Sequence, residues 1–126
     1  MIGALAAADN YSARNNDAAR DSGKGERMIL VTGSILARPE NVEQLLALSL
    51  EHVRRSRAEP GCTSHAVHRD VENPLRLVFV EEWESKEALA AHFAVPASRE
   101  FSKKAGALAA ERPSLNIYSV TPVAFG

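Results

Sequence analysis

Residues 28–37, MILVTGSILA, form a run rich in Ile, Leu and Val, the pattern of a buried strand, with Gly33 marking one close backbone approach. Pro39 suits the first turn of a helix that follows. Along that helix Val42, Leu45, Leu46, Ser49 and Val53 recur at spacings of three and four, with Leu48 and Leu50 widening the stripe. Glu40 and Glu43 lie near its positive end and Arg54, Arg55 and Arg57 near its negative end, and Pro60-Gly61 stops it. From Cys62 to Asp70 the period changes to two. There Thr63, His65 and Val67 alternate with Ser64, Ala66 and His68. Asn73-Pro74 predicts a turn and Leu75 to Glu84 the second strand of a hairpin. On this strand Leu77, Phe79, Glu81 and Trp83 share one face, and Val78, Val80, Glu82 and Glu84 the other. Ser85 predicts an N-cap for a helix over Lys86 to Phe93. Pro96 interrupts it, a second helical piece runs from Ser98 to Ala110, and Pro113 ends the helical region. Leu115 to Val123 reads as the last strand, with Tyr118 its large side chain.

The predicted order is strand, helix, strand, strand, broken helix, strand. That is a βαββαβ, ferredoxin-like α+β sheet with its helices on one face. The opposite face, with Val78, Val80 and Ile117 or its neighbours, stays apolar, so two copies are expected to pack sheet against sheet as a homodimer.

Composition narrows the picture further. With 126 residues, 45% hydrophobic and 25% charged, the chain suits one domain with one core. A net charge of -1 offers no basic field for nucleic acid or an anionic membrane. The single cysteine, Cys62, allows no internal disulfide and no multi-cysteine metal site, which suits a reducing cytoplasm. No apolar run reaches the roughly 20 residues of a membrane span. Residues 1–27 are rich in Ala, Asn, Asp, Ser and Arg and read as a flexible N-terminal extension; synthesis starting at Met28 is an equal alternative. Residues 28–126 form the expected domain.

Candidate chemistry concentrates in FVEEWESKEALAAH, residues 79–92. Glu81 is a carboxylate on an otherwise apolar and aromatic face. Helical spacing puts Leu89 and Phe93 together, with His92 on the same side. The expectation is a semi-apolar pocket where Trp83, Glu81 and His92 converge. A competing reading makes Trp83 core and His92 a buried residue paired with a carboxylate such as Glu81, fastening helix to sheet. His65 and His68 alternate faces, so only one can join the pocket. No histidine pair has helical i, i+4 spacing or a short ligand motif, so no metal is expected. Cys62 reads as a packed thiol, and Arg54-Arg55 and Lys103-Lys104 as solvated helix surface.

Arg38-Pro39-Glu40 after the first strand, Glu59-Pro60-Gly61-Cys62, Glu81-x-Trp83-Glu84-Ser85, Ala91-His92-Phe93, Pro96 and Phe101 together resemble the antibiotic biosynthesis monooxygenase superfamily, especially its small quinol monooxygenase-like members. The resemblance covers Met28 to Val123. It implies a dimeric α+β barrel with a pocket in each subunit between helices and sheet. It also implies oxygenation of a quinol or polyphenol-like aromatic by dioxygen without metal, flavin or haem. By the resemblance, Trp83, Glu81, His92 and His65 fall at catalytic positions, with Phe79, Leu89, Phe93, Phe101 and Val67 around the substrate. In chemical terms His92 or His65 would take a phenolic proton, Glu81 would orient the imidazole, and Trp83 would stack on the ring. Departures are Ala97, where a histidine often follows the proline, and Gly33 and Ser102, which fall near the Asn and His positions of haem-degrading members. Two alternatives remain within the same fold: an isomerase of a small hydroxyketone metabolite, and a small-molecule-binding accessory dimer.

Overall fold

A computed structural model describes residues 27–125. The elements are β1 (Met28–Leu36), α1 (Val42–Ser56), β2 (Cys62–Arg69), β3 (Arg76–Trp83), α2 (Lys86–Ala94), α3 (Pro96–Leu108) and β4 (Ser114–Val120). The strands form one sheet in the order β2-β3-β1-β4. Every pairing in it is antiparallel. This is the expected ferredoxin-like α+β fold. The expected extension lies outside the described residues apart from Arg27.

Strict alternation along β1 and β3 buries Ile29, Val31 and Ile35 together with Leu77, Phe79, Glu81 and Trp83 beneath the helices. Ile117 joins them from β4, where it pairs with Val31. That corrects the expectation for the opposite face. Ile117 is helix-side core, and its neighbour Tyr118 is the residue turned away, 43% exposed. Gly33 is needed where β1 passes β4, since a Cβ there would lie 3.3 Å from both the Leu115 side chain and the Ser114 carbonyl.

The helix boundaries follow local chemistry. Residues 39–41 form a turn, so Pro39 precedes α1 instead of opening it. Asn41 Oδ1 accepts from the Arg38 backbone N–H, and its side-chain amide donates to the Leu108 carbonyl at 2.9 Å, tying the start of α1 to the end of α3. Ser85 caps α2, its Oγ accepting from the Ala88 N–H at 3.1 Å. Val95 is driven extended (ψ 125°) by the proline after it, and Pro96 then occupies the first turn of α3, so the chain bends between two helices. At the α1–β2 turn Gly61 takes a φ of 82° and lies so close to α2 that a Cβ would approach Ala88 Cβ to 2.5 Å.

Candidate functional site

The hairpin register builds the site. A bulge between Cys62 and Ser64 resets β2 so that His65 stands directly opposite Glu81 on β3. Cross-strand partners share a face, so the imidazole and the carboxylate meet beneath the helices. Glu81 Oε1 accepts from the Trp83 indole N–H at 2.9 Å and lies 3.2 Å from His65 Nε2. The latter contact is short but poorly aligned for a hydrogen bond. Burial opposes ionisation of Glu81, yet His65 and Trp83 outweigh it and hold the carboxyl below its usual range.

Two helices complete the cluster from above. His92 on α2 lies 4.7 Å from Trp83, ring centre to ring centre, and 5.6 Å from His65. Its Nδ1 donates to Glu59 Oε1 at 2.8 Å. The expected carboxylate partner was Glu81. The register gives Glu81 to His65 instead, and the turn held by Gly61 delivers Glu59 to His92.

His52 on α1 is the residue that periodicity missed. It stands three positions after Ser49 and four before Ser56, inside the buried stripe of that helix. Its ring stacks on Phe101 of α3 at 4.2 Å and 9°, and lies 5.3 Å from both His65 and His92. Arg55 Nη2 donates to His52 Nδ1 and to the Ala97 carbonyl, 3.2 Å each, so Arg55 is a half-buried clamp and not the solvated residue expected. Burial, then the neighbouring His92, His65 and Arg55, push the His52 pKa down to about 2 and keep the ring neutral.

Trp83, Glu81, His92 and His65 therefore converge as expected, but as a buried cluster, and of the four only His92 lines a cleft along α2 and none lines a smaller one between α1 and α3. Trp83 is fully buried, and His65, Glu81 and His92 are each 2% exposed. Of the expected substrate contacts, Phe79, Phe101 and Val67 belong to one packed cluster with Leu45 and Val53. Leu89 and Phe93 belong to a second with Trp83. His68 is exposed.

Open space lies to either side. A cleft of about 370 Å³ runs along the outer side of α2, lined by Glu59, Pro60, Gly61, Ala88, Ala91, His92 and Val95, with Glu84 and Glu87 at its acidic rim. A smaller one of about 110 Å³ opens between α1 and α3 beside Arg55 and Phe101. The first reaches the His92–Glu59 pair and the second reaches the Arg55 clamp on His52. Neither cleft touches Trp83. Cys62, half-buried on β2, has its thiol pKa raised by burial and by the carboxylates of Glu81 and Glu59.

A four-stranded antiparallel sheet with helices on one face and a buried cluster of imidazole, indole and carboxylate defines a ferredoxin-like α+β protein with a polar site between helices and sheet. Residues 28–104 match the family model for antibiotic biosynthesis monooxygenase, and the chain belongs to that family. It is 35% identical over 92 residues to the uncharacterized protein sll1783 of Synechocystis, an alignment that takes in 73% of this chain and 63% of that protein. The chain thus spans less than two thirds of that relative's length. Among solved structures it superposes on an antibiotic biosynthesis monooxygenase with a TM-score of 0.70 at 26% identity, covering 75% of this chain and 99% of the other. A putative antibiotic biosynthesis monooxygenase from Deinococcus radiodurans gives a TM-score of 0.73 at 21% identity, over 77% and 96%, a likeness of fold alone. Among the described residues no helix is long and apolar enough to cross a membrane.

Proposed function

We propose that the protein is a monooxygenase that oxidises a small quinol or polyphenol-like aromatic with dioxygen, the substrate binding in the cleft along α2. The observation that carries the reading is the His92–Glu59 pair, joined at 2.8 Å and lining that cleft. An imidazole held by a carboxylate is a competent proton acceptor near neutral pH. The cleft walls supplied by Pro60, Ala88, Ala91 and Val95 suit a flat ring, and dioxygen dissolves readily in such surroundings.

Removal of a hydroxyl proton by the pair leaves an electron-rich anion. That anion passes one electron to dioxygen, and the resulting radicals combine at a ring carbon. Loss of water then leaves a hydroxyquinone, one oxygen atom in the ring and the other in the water. The ring supplies all four electrons, so the reaction draws on no cofactor. Trp83 packs its ring 4.7 Å from that of His92 and so positions it, and Glu81 in turn accepts from the indole N–H.

The same reading includes a homodimer. The outer sheet face carries Leu30, Leu36, Val78 and Val80, all half-buried in the single chain, and its covering would be a second copy packed sheet to sheet. Oxygen uptake with a panel of hydroquinones by EDTA-treated protein tests the chemistry. Uptake above the substrate's own autoxidation, lost in Glu59→Gln and His92→Gln, is the expected result. Equal uptake by the variants, or anaerobic turnover of a hydroxyketone instead, would overturn it.

A further inference from the structure

We propose that His52, His65 and His92 form a binding site for one first-row divalent transition-metal ion of the zinc or copper kind. The site goes beyond the oxygenase reading and does not depend on it. One ligand nitrogen from each of the three buried histidines falls in a group whose members all lie within 4.8 Å of one another. The ring positions are more telling. Nitrogens about 2.05 Å from a tetrahedral ion put imidazole centres about 5.2 Å apart. The observed separations are 5.3, 5.3 and 5.6 Å. The ring centres already stand at the separations such an ion needs, and loading asks that the rings turn to aim their nitrogens inward.

The remaining contacts of each ring indicate which nitrogens would bind. His92 Nδ1 is committed to Glu59 at 2.8 Å, leaving Nε2 for the ion. His65 Nε2 faces Glu81 at 3.2 Å, and its Nδ1 is buried without a protein partner. In both, a carboxylate stands against the nitrogen that would not ligate, hydrogen-bonded at His92 and close but poorly aligned at His65, and such carboxylates orient metal-binding histidines. His52 Nε2 is likewise buried and unpartnered. A buried polar nitrogen without a partner is unfavourable, and a ligated ion would supply the missing partner.

His52 also carries the one feature opposed to loading. Arg55 donates to its Nδ1, which favours the proton on Nε2, the nitrogen that must be free to ligate. Binding therefore requires the tautomer to switch and Arg55 to turn away. Arg55 borders the cleft between α1 and α3, so its side chain has open space beside it. Loading leaves the His92–Glu59 contact in place but occupies Nε2, the nitrogen with which His92 would accept a proton, so metal binding and proton acceptance by His92 exclude one another. Three imidazoles from α1, β2 and α2 suit zinc or copper, and carboxylate-preferring magnesium or calcium poorly.

The test uses full-length protein freed of metal by EDTA and titrated with Zn²⁺ alone or Cu²⁺ alone, with bound metal read after equilibrium dialysis. One ion per chain and a raised thermal midpoint are expected. The Cu²⁺ form should show nitrogen superhyperfine structure in its electron paramagnetic resonance spectrum, a readout that needs no variant to fold. His52→Phe, which keeps the stack on Phe101, and His65→Asn should each weaken binding at least tenfold, while His68→Ala at the exposed histidine leaves it unchanged. Glu59→Gln should cost about tenfold through orientation alone. Arg55→Gln, whose amide oxygen can accept from Nδ1, should tighten binding severalfold. Absence of saturable binding, a copper spectrum without nitrogen coupling, or binding that survives both His52→Phe and His65→Asn would overturn the site.

Discussion

His92 Nδ1 donates to Glu59 Oε1 across 2.8 Å, joining helix α2 to the turn that precedes β2. The contact brings together two residues 33 positions apart, and it puts a carboxylate-held imidazole against the cleft along α2. General acid–base catalysis contributes roughly 10²–10⁴ in rate. His92→Gln and Glu59→Gln should therefore lower oxygen-uptake kcat by about that range while KM changes little. A variant that lost affinity but kept kcat would show the pair to be a binding contact only.

Gly61 sets the distance between that turn and α2. With φ at 82° and Ala88 Cβ only 2.5 Å from where a side chain would begin, Gly61→Ala suffers both backbone strain and a clash. A strained conformation costs roughly 1–3 kcal/mol, and the clash adds to it by pushing α2 outward. Urea unfolding should show a loss of about 2–4 kcal/mol. Restoring stability in part by adding Ala88→Gly would confirm that the clash, and not φ alone, is at work.

Trp83 belongs to the second core cluster and donates a hydrogen bond to Glu81 Oε1. Trp83→Phe keeps most of the apolar contact but leaves a buried carboxylate short of a donor, a loss of about 1.5–3 kcal/mol with a cavity cost added. Trp83→Phe combined with Glu81→Gln should recover part of it, and a double-mutant cycle by chemical denaturation reads the coupling. No coupling between the two positions would mean the indole matters only for its volume.

His52 makes the metal-free fold sensitive to acid. In the unfolded chain its imidazole takes a proton below about pH 6.5. In the folded chain burial prevents this down to about pH 2. Between those values the unfolded state binds more protons, so stability falls as pH falls, by up to about 1.4 kcal/mol per unit from this group. His52→Phe removes that contribution. Urea midpoints of EDTA-treated protein at pH 6.5, 5.5 and 4.5 should decline more gently in His52→Phe; parallel declines would refute the assignment.

If two copies pack through the outer sheet face, Val80→Arg places a charge in the middle of it. Light scattering should show a dimer for the parent chain and a monomer for the variant. Because Val80 points away from the helices, the monomer should keep its far-ultraviolet dichroism.

Much of this molecule is written in local patterns. The change from a period near 3.6 to a period of two located α1 and the hairpin, Ser85 and Pro96 marked where helices begin, and alternation on β3 put Glu81 beside Trp83 under the helices. These features depend on steric and hydrogen-bonding preferences that act over a few residues, so the chain order carries them. What paired with what was decided elsewhere. The bulge after Cys62 chose His65 as the partner of Glu81, and the Gly61 turn carried Glu59 to His92. His52 could be seen on the buried stripe of its helix, yet nothing near it in the chain reveals that α1, β2 and α2 bring three imidazoles to one point. Nor does local spacing distinguish a hollow from a packed interior, because that depends on how far apart the helices come to rest above the sheet, a balance of side-chain volumes contributed by every element at once.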